Sequence, residues 1–151
     1  MNAPDPLQRH RAILAHFDSY SAALMFVRWE DGSLLWPAPL PEGSSLSPAA
    51  PAGAGAQAAG AEAVRAAVIA QHGFNAEELA HAADFEHWAQ TADGPVRIHL
   101  LRFTTPDAPK ALVEARNAGF KHMTQLRGAD KNELLLLREV FNLIIGGSAR
   151  D

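Results

Sequence analysis

The chain contains no cysteine. Disulfides, thiolate nucleophiles and cysteine-based zinc or iron–sulfur centres are therefore excluded. It also lacks a surplus of positive charge: 13 Lys and Arg against 17 Asp and Glu give a formal net charge of −4. Without a strong basic field, a nucleic-acid polymer is not an expected partner, although a single nucleotide needs only two or three local groups. Long apolar runs are missing as well. The longest, Leu134 to Ile145, is broken by Arg138, Glu139 and Asn142 and is too short to span a bilayer. No apolar run follows Met1 to Asp5, so no secretory signal is read and a cytoplasmic location is expected.

Several reaction signatures are absent too. No Gly-x-Ser-x-Gly elbow marks an activated serine. The seven histidines, His10, His16, His72, His81, His87, His99 and His122, include no His-Glu-x-x-His pair, so neither a metal nor another cofactor is expected. Gly53-Ala54-Gly55 with Gly60 fits neither phosphate-loop spacing nor the dinucleotide fingerprint and reads as a flexible stretch.

What is present describes one α+β domain over residues 1–151, a length that suits a single core. Asp5-Pro6-Leu7-Gln8 reads as a helix start, and Leu7, Leu14 and Phe17 share a helical stripe, which predicts an N-terminal helical arm within residues 1–20. Ala22 to Trp29 and Ser33 to Trp36 flank Glu30-Asp31-Gly32 and predict a hairpin. Pro37 to Gly60 is nearly all Pro, Ala, Gly and Ser and reads as a long mobile loop. A helix over Ala61 to His72 stops at Gly73, and a short turn is expected within Asn75 to Ala80. Asp84 to Gln90 and Val96 to Phe103 form a second hairpin around Asp93-Gly94. Residues 111–126 fit strand or helix equally. The last helix opens on a capping box, Asp130 with Glu133, and closes at Gly146-Gly147.

The alternation of the second hairpin defines two faces. Phe85, Ala89, Val96, Ile98 and Leu100 make a core face. The other carries Glu86, Trp88, Arg97 and His99: a carboxylate, an aromatic platform, a guanidinium and an imidazole. Such a set suits a small molecule with a flat ring and a polar edge. In the last helix, the apolar residues of Leu134 to Ile145 cover an arc of roughly 200°, about twice what one core-facing stripe needs. The excess points to deep burial or to a homodimer through this helix.

The order of these elements resembles that of the Nudix hydrolases. Ala22 to Val27 and Glu30 to Trp36 resemble the family's opening hairpin. Leu40-Pro41-Glu42-Gly43 resembles the Leu-Pro-Gly-Gly that opens the Nudix box, and Glu62-Ala63-Val64-Arg65 up to Gly73-Phe74 is similar to the box helix with its closing pair. The likeness spans about Ala22 to Gly147 and implies an α/β/α sandwich around a mixed sheet. In the family, an Arg-Glu and then a Glu-Glu pair on this helix bind the divalent metal that polarises a diphosphate and activates water. Here those places hold Ala66, Ala67, Ala70 and Gln71. The resemblance therefore implies a binding or regulatory domain for a nucleotide-like small molecule rather than a hydrolase. Two other readings stay open: a metal-independent enzyme using the Glu86, Trp88, Arg97 and His99 face, and a structural protein that dimerises through its last helix.

Overall fold

The computed structural model describes residues 10–18, 20–47, 61–82, 84–85, 87–92, 94–126 and 128–146. Seven strands form one mixed sheet: β1 (His10–Asp18), β2 (Ala23–Arg28), β3 (Ser45–Ser47), β4 (Leu79–His81), β5 (His87–Thr91), β6 (Gly94–Phe103) and β7 (Gly119–His122). Among the described residues three α-helices accompany it: α1 (Ala61–His72), α2 (Lys110–Glu114) and α3 (Lys131–Phe141). The order across the sheet is β3-β5-β6-β1-β2-β7, and β4 joins β6 beyond the end of β5. β1 and β6 run parallel and every other pair is antiparallel.

β1 corrects the expected N-terminal helix over its second half; residues 1–9 lie outside the described residues. The physical reason is burial on both sides. His10 to His16 alternate between two apolar layers, and Ala12, Ile13, Leu14 and Ala15 are all buried. A central strand covered on both faces reads as a continuous apolar run. The spacing of Leu14 and Phe17 imitates a helical stripe without requiring one.

The first expected hairpin forms only halfway. Its turn is as predicted: Trp29 N donates to Ser33 O, Gly32 N donates to Trp29 O, and Gly32 takes a positive φ of 86°. The chain then leaves β2, whose outer edge pairs with β7. Trp36 instead exchanges two backbone hydrogen bonds with Ala12 of β1. Those bonds occupy the stretch of β1 that β2 does not reach, since β2 pairs only with Ala15 to Asp18.

The long loop is corrected in part. Ser45–Ser47 pairs with Trp88 to Gln90 as the sheet edge, while residues 48–60 lie outside the described residues. Residues 111–126 contain both readings, a short helix ending at Glu114 and then strand β7.

The second hairpin forms with its turn one position earlier than read. A turn centred on Asp93-Gly94 would set Ala89 against Ile98 and Trp88 against His99; instead Ala89 pairs with Val96 and Trp88 with Arg97, because Thr91 and Gly94 are the last pair. Thr91 Oγ1 fastens that end to Gly94 O at 2.7 Å. The shift moves each partner by two residues, so every side chain keeps its face.

Alternation puts helices on both sides of the sheet. On one side Ile13, Ala15, Phe26, Ile98 and Leu100 pack with Leu136, Leu137 and Val140 of α3. On the other Ala12, Leu14, Val27, Leu101 and Phe103 pack with Val64 and Val68 of α1 and Val113 of α2. Gly73 closes α1 with φ 72°, its N–H donating to Ile69 O. Asp130 caps α3 by accepting from Asn132 N. Glu133 does not complete the expected capping box. It turns inward, 5% exposed, and accepts from Ser33 Oγ at 2.7 Å and Leu34 N at 2.8 Å. After α3 the chain continues in a wider π turn, Asn142–Gly146. Most of the helix's apolar arc is absorbed inside the chain, with Leu135 and Phe141 left 42% and 40% exposed.

Candidate functional site

Of the residues selected from the second hairpin, Trp88, Arg97 and His99 do share one face. Glu86 lies outside the described residues. The face is not open: Trp88 is 0% exposed and His99 1%, and Arg97 is buried as well. The Arg97 guanidinium lies 5.2 Å from the centre of the Trp88 ring, a cation–π geometry. His99 Nε2 and His10 Nδ1 are 2.9 Å apart, so one of the two rings donates to the other. The His81 ring meets His99 edge-on at 5.7 Å. Burial, with neighbouring His10, Arg97 and His81, lowers the His99 pKa to about 3. Burial first, then Arg97, also lowers His10 and His81. These imidazoles are therefore neutral at pH 7. Among the described residues no group of three His, Asp or Glu is arranged to hold a metal ion.

An accessible cleft lies elsewhere, at the C-terminal end of α1. It measures about 430 Å³, and Trp29, Trp36 and Pro37 line it together with His72 from the last turn of α1. Gln71, Glu30, Asp31 and Arg116 complete the lining with polar groups, all four exposed. Local chemistry explains how the parts converge. The Gly32 turn fixes the approach of Trp29 and Asp31, and Asp31 Oδ1 accepts from Ser33 N at 2.8 Å. The bridge to Ala12 fixes Trp36. Gly73 ends α1 one residue after His72 and lets Phe74 stack on the imidazole, with ring centres 5.6 Å apart.

His72 is the keystone of this wall. Trp36 Nε1 donates to His72 Nε2 at 3.0 Å. That bond requires Nε2 to be an unprotonated acceptor, so the neutral ring carries its proton on Nδ1. Burial, then the charge of Arg116, lowers the His72 pKa, in agreement with the bond. Trp29 lies over the same ring at 4.7 Å. The cleft thus pairs a rigid aromatic wall with a rim of one guanidinium, one amide and two carboxylates. It can hold a flat ring edge against the wall, hydroxyls at the carboxylates and an anionic group at Arg116.

The hairpin reading missed this cleft. Its residues come from four separate segments, and the only local sign was a tryptophan on each side of Glu30-Asp31-Gly32. Among the described residues, no helix is long and apolar enough to cross a membrane. No protein-family model matches the chain, and no curated protein does.

Proposed function

We propose that the chain is a Nudix-like domain that binds a nucleotide-like small molecule without metal-dependent hydrolysis, acting as a binding or regulatory module. The observation that carries this reading is the cleft at the end of α1. It lies at the end of the helix that resembles the Nudix box, and it is walled by Trp29, Trp36 and His72. Gln71 stands in its lining at a place where the family has a metal-binding glutamate. With Ala66, Ala67 and Ala70 at the other three places, the helix offers a diphosphate no carboxylate cluster. The mixed sheet with helices packed on both sides agrees with the α/β/α layout that the resemblance implies.

Titration with ADP-ribose, read by indole fluorescence and by phosphate-ester release, tests both halves. The expected result is saturable quenching that Arg116→Ala weakens by about tenfold, the value of one charge-assisted contact. No turnover is expected with magnesium. Magnesium-dependent turnover abolished by a chelator would overturn the non-catalytic half, and an absence of saturable binding would overturn the nucleotide half.

A second reading places the ligand, or a metal-independent reaction, on Glu86, Trp88, Arg97 and His99. The observation in its favour is the polarity that this face buries: a guanidinium and two hydrogen-bonded imidazoles beside an indole. Burial of a polar group without full hydrogen bonding costs stability, and a functional site is one reason to retain it.

A further inference from the structure

A second cleft opens at the end of β6, where Phe17 and Leu143 belong to the α3 side of the sheet and Phe103 to the other. It measures about 600 Å³, within the usual range for small-ligand sites. Arg102 of β6 lies in it. At this level β6 is a central strand, and Arg102 has Ala15 of β1 as its register partner on one side and Ala80 of β4 on the other. Cross-strand partners project from the same face, and two alanines leave the space beside the Arg102 side chain unfilled. Ala80 and Arg102 both line the cleft, as do Phe17 and Leu143, which pack against the core beneath α3.

Among the described residues the charges here are few and unpaired. Arg102 is the single cation among the described lining residues, since His81 in the same lining is held neutral by burial. Asp84 is the single carboxylate among them. Among the described residues neither forms an ion pair or a side-chain hydrogen bond, with each other or with a third group. A half-buried guanidinium on a central strand with no acceptor among the described residues is well suited to an incoming carboxylate, which it can grip with two parallel N–H bonds.

We propose that this cleft binds the free zwitterion of an apolar α-amino acid. Arg102 receives the carboxylate, Asp84 accepts from the ammonium, and the side chain lies against Phe17 and Leu143. One unpaired charge of each sign beside an apolar wall is what sets this class apart. A simple fatty acid would leave Asp84 without a partner, and a simple amine would leave Arg102 without one. The inference does not depend on the nucleotide-like ligand of the first cleft.

Isothermal titration with L-leucine and L-phenylalanine at neutral pH tests it. Saturable binding is expected. N-acetyl-L-leucine lacks the ammonium and 3-methylbutylamine lacks the carboxylate, so each should bind about tenfold more weakly or worse, as expected when one charge-assisted contact is lost. Arg102→Met should weaken L-leucine binding by a similar factor. Asp84→Asn, at an exposed position, should do the same while narrowing the gap between L-leucine and N-acetyl-L-leucine. If Arg102→Met fails to fold, Asp84→Asn and the ligand series still decide. No saturable binding of either amino acid would overturn the proposal, and so would N-acetyl-L-leucine binding as tightly as L-leucine. Failure of the ADP-ribose titration would leave this result untouched, because the two clefts share no lining residue.

Discussion

The two faces of the sheet bury their cores by different means. On the α3 side the helix supplies Leu136, Leu137 and Val140, and the strands answer with Ile13, Phe26, Ile98 and Leu100. On the other side α1 is rich in alanine, and the apolar side chains it buries are Val64 and Val68. A helix of small residues leaves volume that the sheet and loops must fill. Rings fill it: Trp29, Trp36, Phe74 and Phe103 from the sheet and loops, joined by His72 from the last turn of α1. The aromatic wall of the candidate cleft follows from the smallness of the helix beside it. The polar groups divide in the same way. The α3 side buries one carboxylate, Glu133, and one guanidinium, Arg11, whereas the α1 side buries His10, His16, His72, His99 and Arg97.

The comparison breaks most visibly at Trp88. If the α1 side is held by its rings, Trp88→Ala should cost about 3–5 kcal/mol. At this chain length that corresponds to a fall in melting temperature of roughly 6–20 °C, since 1 kcal/mol is worth about 2–4 °C. A much smaller fall, with ligand binding lost, would move the functional site to the Trp88, Arg97 and His99 face.

Glu133 tests the α3 side. Glu133→Ala would strand the Ser33 hydroxyl and the Leu34 N–H and should cost about 2–3 kcal/mol by chemical denaturation. Glu133→Gln should cost about 1 kcal/mol or less. Its amide can donate to Ser33 Oγ and still accept from Leu34 N, so the two variants separate lost bonds from lost charge.

The faces should also respond to pH with opposite signs. The folded-state pKa of His99 lies below its ordinary 6.5, so the unfolded chain takes up a proton first as the pH falls. Stability is full above pH 6.5 and declines from there towards about pH 3, by up to about 1.4 kcal/mol per pH unit for a ring held fully neutral. Burial raises Glu133 above its ordinary 4.5, so the folded chain holds that proton longer, and its contribution declines as the pH rises from 4.5. Melting curves between pH 4.5 and 6.5 should therefore climb more gently in His99→Gln and more steeply in Glu133→Gln. Parallel curves for all three proteins would show that neither face governs the acid limit.

The smallest expected effect is at Gly73, where α1 ends beside the cleft. A methyl group there meets nothing within 4 Å, so Gly73→Ala carries only the cost of a left-handed backbone. That cost is about 1 kcal/mol, or 2–4 °C in a thermal melt.

Locally encoded features were legible in the sequence. α1 with its glycine stop, the Asp130 cap and the alternation of β5 and β6 each depend on neighbours a few residues away. What was not legible depends on distant partners. Ala12 to Ala15 form a strand because β6 lies beside them, and nothing within nine residues says so. Ser33 to Trp36 abandon the expected hairpin because β7 holds the outer edge of β2. Glu133 fits a capping box by spacing, yet its carboxylate is claimed by residues 99 and 100 positions earlier in the chain. The candidate cleft was hidden for the same reason. His72 reads as the last residue of a helix until Trp36 donates to it from 36 positions away.

The parallel pairing of β1 with β6 also sets a timetable for synthesis. His10 waits for His99, 89 positions later, before the centre of the sheet can close. At translation rates of 5–20 residues per second that is a delay of about 4–18 s. Through that interval the nascent chain has β1 and β2 but neither of their later neighbours, β6 and β7. Two apolar strands with unclaimed edges are a template for pairing with other chains. Slowing translation between β2 and β6 should therefore lower the protein's soluble yield.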